Sequence, residues 1–527
     1  MMRWLVVLSL LVFTSSTNFA QAPARRPATP SLPQLREAVK RNPKNAELHY
    51  ALGLGLGRTG QFNEAIAELR QAVLLNNDFV EAWMTLGLAL QQKGELKTAA
   101  DAINRAGSLR PNDPAIWLSL ANLYQQSQNF PRAVEAMRRA VELQPKNAEF
   151  QSQLGMLLDA AGESASSAEA FETAIKLNPA APAPHYYLGV SRLQRGEFEA
   201  SVKALRQAVK LAPRSAESWT TLGVALRESG DMTEALKALK QALVLNPKLI
   251  EAHNNYGLTL LQLKQTEAAL AEFQIVKRLS PKNPNGYMNS GLALMQKGDV
   301  EGAIISYKSL IALAPDYPQS HFNLALALRR KDDLDGAITA LQKCLALQND
   351  FADAHFTLGD IYLQQSKLDD AVNELSTATR LNPNDGEAHF RLGLALQRKN
   401  ETENAINEFR TAIQLAPNNP EIHTALANVL RQKGDTEGAK SSSDEAVRLT
   451  KLRKDFEVAA TALQTGMQRM KAGNFDEAIE RFEAVLKIDP NSVEAYQQLS
   501  IAWKKKGNLN KSAEMTAKAA SVNSLQK

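Results

Sequence analysis

Residues 216–249 read AESWTTLGVALRESGDMTEALKALKQALVLNPKL. Apolar residues recur here at spacings of three and four, first as W-x-x-L-G-x-x-L from Trp219 and then as A-x-x-x-L-x-x-A from Ala235. Each set makes one face of an amphipathic helix. Gly223 is small enough to let two helices approach closely, and Pro247 ends the second helix. The stretch therefore predicts a pair of antiparallel helices.

The same pattern returns every 34 residues. Twelve repeats run from 46 to 453 without an insertion, residues 454–458 form a slip, and repeats 13 and 14 occupy 459–526. With the first residue of each repeat as position 1, position 8 is Gly or Ala in repeats 1–12. Position 20 is Ala or Ser in the same repeats, and position 32 is Pro in nine of them. One repeat buries little apolar surface alone, so we expect stability to come from stacking on neighbours.

This pattern resembles the tetratricopeptide repeat, whose signature is W-x2-L-G-x2-Y, then A-x3-F, then A and P. The resemblance extends over residues 46–526. It implies an all-α fold, a superhelical solenoid of tandem helix hairpins whose inner groove binds peptides or protein segments. It also implies a scaffold or adaptor rather than a catalyst.

The first 45 residues lie outside this register. Arg3 precedes a continuous apolar run and then small polar residues, the pattern of a signal peptide over residues 1–20. Residues 21–33 hold four prolines and predict an extended tether, and residues 34–45 match the second half of a repeat that caps the array. We therefore expect an exported soluble protein, periplasmic or extracellular, with no membrane span after the leader is removed.

The amino-acid composition does not indicate binding to nucleic acid. Lys and Arg number 61 against 56 Asp and Glu, so the net charge is only +5, without the clustered basic and aromatic residues of such proteins. The single cysteine, Cys344, cannot form an internal disulfide, and its position 27 is usually alanine. We expect it to act as a small buried apolar side chain.

The residues that could suggest catalysis, a glycine motif and the histidines, all lie within the repeats. Residues 55–60 match G-x-G-x-x-G, but no strand precedes them, so we expect a loosened first helix rather than a dinucleotide site. All seven histidines stand at position 4, which Trp or Tyr fills in five other repeats, and this spacing favours packing over metal binding or catalysis. We expect no enzyme activity, no catalytic or metal-binding residue and no cofactor.

The first helices offer a candidate peptide-binding groove. Asparagine fills position 6 in three successive repeats and resembles the ladder of the repeat arm of O-GlcNAc transferases, where amides hold a peptide backbone. An apolar stripe lies beside it at position 5, and glutamine is frequent at position 13. The alternative is that these columns only pack or solvate the inner wall. The candidates are Asn255, Asn289, Asn323, Met288, Phe322, Phe356 and Phe390.

The slip at 454–458 predicts a long helix. No proline occurs from Thr436 to Ala472, so the second helix of repeat 12 should run directly into repeat 13. Ser443 occupies position 24, which is apolar in repeats 1–11. We therefore expect the array to bend, or a partner to dock, at this point.

The function predicted is a non-catalytic scaffold that binds peptide or protein segments in the groove. The alternative is a structural subunit of an envelope secretion or polysaccharide-export complex. The sequence names neither the partner nor the oligomeric state.

Overall fold

The structure, a computed structural model, describes residues 30–525. These residues fold into 28 α-helices without a strand, so the predicted all-α class is confirmed. The chain divides into two compact units, unit 1 up to Thr259 and unit 2 from Leu260. Within the described part of the chain, no helix combines the length and apolar character needed to cross a bilayer. The predicted signal peptide, 1–20, and residues 21–29 of the tether lie outside the described residues.

Unit 1 contains a leading helix and six complete hairpins. Its helices are α1 Leu32–Arg41, α2 Ala46–Arg58, α3 Phe62–Leu75, α4 Val80–Gln92, α5 Leu96–Leu109, α6 Pro114–Gln126, α7 Phe130–Leu143, α8 Ala148–Ala160, α9 Ser164–Leu177, α10 Pro182–Gln194, α11 Phe198–Leu211, α12 Ala216–Glu228 and α13 Met232–Leu245. Helix α14, Ile250–Gln262, contains the division between the units.

Unit 2 continues the alternation of first and second helices. Its helices are α15 Thr266–Leu279, α16 Pro284–Lys297, α17 Val300–Leu313, α18 Pro318–Arg330, α19 Leu334–Leu347, α20 Ala352–Gln364, α21 Leu368–Leu381, α22 Gly386–Arg398, α23 Thr402–Leu415, α24 Pro420–Lys433, α25 Thr436–Lys471, α26 Phe475–Ile488, α27 Val493–Lys505 and α28 Leu509–Leu525.

The turn inside each hairpin depends on one left-handed residue. Position 15 has a positive φ in all fourteen repeats, as at Gly230 with 90° and Asn400 with 63°. This conformation ends the first helix and reverses the chain, and it is least costly for glycine and tolerated by asparagine. Asp231 follows, and its side chain accepts a hydrogen bond from the backbone N–H of Glu234 to start the second helix.

The two helices of a hairpin meet where position 8 faces position 24. A Cβ added to Gly223 would lie 2.4 Å from Leu239 Cγ, and one added to Gly393 would lie 2.6 Å from the ring of Phe409. Both large side chains are 0% exposed. The glycine therefore makes room for the position 24 side chain, which fills the centre of the hairpin.

The amino-terminal helix explains the extra glycines of the G-x-G-x-x-G match. Helix α1 begins at Leu32, so the tether ends two residues before the predicted boundary. Leu32 Cδ2 would lie 2.9 Å from a Cβ on Gly55, whereas a Cβ on Gly57 would meet nothing within 4 Å. The absence of a side chain at Gly55 therefore allows α1 to pack against α2. The first part of the motif, Gly55 to Arg58, lies inside a helix rather than in a phosphate-binding loop.

Helix α25 is unbroken from Thr436 to Lys471 and contains 36 residues. At 1.5 Å per residue it is about 54 Å long. Its first part packs on α24 and its last part packs on α26. The connecting helix expected across the slip is therefore present as a single element.

Two glycine substitutions in unit 1 should have opposite effects on stability. Gly223→Ala places a Cβ inside van der Waals contact with Leu239 and should lower the free energy of unfolding by about 1–3 kcal/mol. Gly57→Ala has open space and should raise it by up to about 1 kcal/mol, because alanine favours helix. Chemical denaturation of both variants measures the effect, and equal changes in the two would contradict the packing described above.

Candidate functional site

Position 4 is a hydrogen-bonding position at the turn between repeats. His321 Nε2 lies 2.9 Å from the carbonyl oxygen of Pro315, and Trp117 Nε1 donates to the carbonyl of Pro111 over 2.9 Å. All seven histidines make this contact with the residue six positions earlier. The side chain at position 4 therefore satisfies a backbone carbonyl of the turn between two repeats.

Three of the histidines are also paired with a glutamate on the second helix of the same hairpin. Nδ1 of His49, His355 and His389 lies 2.5–2.6 Å from the carboxylate of Glu68, Glu374 and Glu408, respectively. Both ring nitrogens of these histidines therefore face a hydrogen-bond acceptor, a carbonyl on one side and a carboxylate on the other. Within residues 30–525, no group of three or more His, Cys, Asp or Glu is arranged to hold a metal ion.

The sequence contains a signal for these pairs that position 4 alone does not reveal. Glutamate occurs at position 23 in four repeats, and each of the four has histidine at position 4. The histidines thus have a structural role: each one bonds to a backbone carbonyl, and three of them also bond to a glutamate carboxylate.

In unit 1, the predicted ladder residue Asn255 is half-buried with its amide already bonded. Its Nδ2 donates to the carbonyl of Glu251 over 2.8 Å, and its Oδ1 accepts from Arg227 Nη1 over 3.2 Å. Arg227 is only 4% exposed. A peptide that used this amide would have to replace these two contacts.

In unit 2, Asn289 and Asn323 are 8% and 7% exposed. Asn323 Nδ2 contacts Met288 Sδ at 2.9 Å, and Asn323 Oδ1 accepts from Gln319 Nε2 over 3.3 Å. Met288 belongs to the preceding repeat, so the amide joins neighbouring first helices. Peptide binding by the asparagines stays a prediction.

The aromatic stripe at position 5 lies mostly under the surface. Phe322 is 9% exposed and packs against Phe351 with ring centroids 5.0 Å apart, and Phe390 is 6% exposed and packs at 6.0 Å from Phe409. Phe356 is half-buried. Phe356 is thus the most accessible of the three rings, and the binding role of the stripe stays a prediction.

Position 13 has a bonding role between repeats in unit 2. Gln296 Nε2 donates to the carbonyl of Leu261, and Arg398 Nη1 donates to the carbonyl of Leu363 over 2.7 Å. In both cases the acceptor is at position 12 of the preceding repeat. These side chains satisfy the last carbonyls of the preceding first helix.

Position 9 provides an apolar surface that was absent from the predicted groove residues. Leu292, Leu326 and Leu394 pack against the core yet remain half-buried on the same helix face as position 5. We call this surface, positions 5, 6 and 9 of repeats 8–11, the first-helix face of unit 2. Its apolar column is visible in the sequence, since position 9 is leucine or valine in most repeats.

Asp360 interrupts that column with a charge. Its carboxylate, 14% exposed, lies 2.5 Å from Arg329 Nη2 of the preceding repeat and 3.6 Å from Arg391 Nε of the following one. Arg391 also pairs with Glu387 at 2.8 Å. The two arginine side chains are 36% and 37% exposed, and a guanidinium group has more N–H donors than these contacts use.

The stacked pairs of antiparallel helices define a helical-hairpin repeat protein. A tetratricopeptide repeat model matches residues 50–114, 118–182, 152–216, 186–250, 220–284 and 356–420, more than half of the chain. Further models of the same repeat match 291–332, 326–366, 408–441 and 469–523. The chain belongs to the tetratricopeptide repeat family.

Comparison with curated proteins gave no match. Among solved structures, yeast Tom70 is similar over 79% of this chain and 98% of its own, with 16% identity and a TM-score of 0.42. A tetratricopeptide repeat protein from Parabacteroides merdae covers 47% of this chain and 98% of its own, with 18% identity and a TM-score of 0.41. MamA from Desulfovibrio magneticus covers 32% and 96%, with 25% identity and a TM-score of 0.30.

Cys344 should be unreactive in the folded protein. It is 0% exposed, and burial raises the pKa of its thiol to about 11. The thiolate is the nucleophile, so a thiol–disulfide reagent at neutral pH should not modify the native chain and should modify one thiol per chain after denaturation. Labelling of the native protein within minutes would contradict this burial.

Proposed function

We propose that the chain is a non-catalytic scaffold whose first-helix face in unit 2 binds a peptide or protein segment. Membership of a repeat family that binds protein partners supports a scaffold role. The observation that carries the proposal is the column of half-buried position 9 leucines, with Asp360 and its two arginines set between them.

An extended segment fits this surface chemically. Leu292, Leu326 and Leu394 offer apolar contacts on successive or alternate repeats. Arg329 and Arg391 have more N–H donors than their ion pairs use, and such donors suit backbone carbonyls of a ligand that has no helix of its own. Burying the half-exposed leucines under apolar ligand side chains would stabilise the complex, at about 25 cal/mol per Å² of apolar surface removed from water.

We also propose that the protein is exported to the periplasm or outside the cell. The support is the pattern of a charged start, an apolar run and small polar residues over residues 1–20. Cell fractionation with mass spectrometry of the mature amino terminus tests this. A chain that starts at Gln21 or Pro23 in the envelope fraction is expected, and one that keeps Met1 in the cytoplasm would refute export.

The scaffold proposal predicts that substitutions on the first-helix face of unit 2 weaken partner binding and that substitutions elsewhere do not. Leu326→Lys with Leu394→Lys places two charges among the position 9 leucines, while their long stems keep the helix packing. We expect affinity capture from envelope extract to lose at least one partner, with binding of the purified partner weakened about tenfold or more.

The matched control is Ile305→Lys on α17, a second-helix residue that is 67% exposed. It adds a charge to unit 2 away from the first-helix face and should capture the same partners as the native chain. If the double variant also captures them all with unchanged affinity, the first-helix face is not the binding surface.

A further inference from the structure

An open groove lies in repeat 12 between α24 and the first half of α25. Its volume is about 540 Å³, and its lining includes Thr424, Asn428 and Arg431 from α24, with Ser443, Val447 and Lys451 from α25. All of these residues belong to unit 2. The first-helix face of repeats 8–11 contains none of them.

The groove exists because the chain does not turn back after repeat 12. In repeats 11 and 12, the first helix packs on both helices of the hairpin before it: α22 packs on α20 and α21, and α24 packs on α22 and α23. Helix α25 instead runs straight on, and its Arg453 passes the first turn of α24, 3.8 Å from Glu421. The part of α25 that serves repeat 13 as its first helix therefore lies beyond α24, and the place beside α24 stays empty.

Ser443 enlarges this empty place. Position 24 is a large apolar residue in repeats 1–11, and each of these side chains is 0% or 1% exposed. Ser443 is the hydrophilic exception and is half-buried. A hydroxymethyl group leaves unfilled the volume that leucine or phenylalanine occupies elsewhere, so the groove has a depression at its base.

Val447 marks the surface that the missing helix would cover. Residues at its position 28 are buried or half-buried in repeats 1–11, for example Val209 and Ile413. Val447 is 67% exposed. Position 28 is thus covered in eleven repeats, and in the twelfth its valine is exposed. This difference indicates a surface that could bind a helix and that no helix of the chain covers.

The charge of the groove selects the kind of helix. Arg431, Lys451 and Lys454 line it together with one acid, Asp455. None of the three cations forms an ion pair within residues 30–525, whereas their neighbours Lys433 and Arg448 are paired with Glu403 and Glu445. The groove thus presents an excess of positive charge around Ser443 and the exposed Val447.

We propose that this groove binds an amphipathic helix of another protein that carries acidic residues beside its apolar face. The helix takes the place of the absent first helix, with one bulky apolar side chain over Ser443 and a second contact on Val447. Its carboxylates face Arg431, Lys451 and Lys454. Helix-in-groove binding of this kind reuses the packing that joins successive repeats. The site is separate from the first-helix face of repeats 8–11, and either can fail without the other.

A peptide copied from a first helix of this chain provides the probe. The sequence of α20, Ala352–Gln364, carries Asp353 and Asp360 together with apolar Phe356 and Ile361. Extended with alanines to about 20 residues, it is long enough to populate a helix in water. Fluorescence anisotropy of the labelled peptide against residues 21–527 measures binding.

We expect the acidic peptide to bind and its Asp353→Lys/Asp360→Lys version to bind at least about tenfold more weakly. The difference should shrink in about 1 M salt, where screening shortens the Debye length to about 3 Å. Absence of binding by the acidic peptide, or equal binding by the lysine version, overturns the proposal.

Two variants of the chain test the groove itself. Ser443→Leu recreates the combination of alanine at position 8 and leucine at position 24 found in repeat 9, as Ala325 with Leu341. It should raise the unfolding temperature and weaken peptide binding about tenfold or more. Unchanged peptide affinity in a stabilised Ser443→Leu chain contradicts the proposed position of the helix.

Val447→Glu should also weaken binding, and its matched control is Val244→Glu, at a valine with the same 67% exposure in unit 1. The control should bind as the native chain does, as should Leu326→Lys. Light scattering of the chain without peptide measures its molar mass and shows whether a second copy of the chain occupies the groove. A dimer that Val447→Glu dissociates would mean that a second copy fills the groove, which overturns the acidic-helix proposal.

Discussion

The contact between a small residue at position 8 and a large residue at position 24 is the constraint on which the hairpins of repeats 1–11 depend. Glycine at position 8 removes a Cβ that would overlap the position 24 side chain, as between Gly223 and Leu239 or Gly393 and Phe409. The two helix backbones can then approach until the large side chain is fully buried. Position 15 determines the turn within a hairpin, and position 32 determines the turn between repeats. The contact between positions 8 and 24 determines the distance between the two helices of a hairpin.

Most of the fold could be predicted from the sequence because these columns are physical requirements. Small residues at positions 8 and 20, with proline at position 32, predicted paired helices, and the structure has them throughout residues 46–525. The absence of proline from Thr436 to Ala472 predicted a long helix, and α25 spans Thr436–Lys471. The function of Gly55 could not be predicted, since it depends on Leu32 reaching across from another helix.

The candidate site could be predicted only in part. Positions 5 and 9 share one helix face, and periodicity does not tell which of them the neighbouring repeat covers. The structure buries Phe322 and Phe390 and leaves Leu326 and Leu394 half-exposed. The amide of Asn323 bonds to a sulfur atom 35 residues earlier, a contact that no local pattern contains.

Ser443 has a consequence for how unit 2 folds. In a linear array, each repeat is held mainly by its neighbours, and cooperativity depends on every junction being strong enough to transmit order to the next. The junction at repeat 12 lacks both the buried position 24 side chain and a returning first helix, and only the backbone of α25 continues through it. Opening there leaves the hairpins on either side intact, so we expect unit 2 to lose its structure in parts, with α25 as the place where the parts separate.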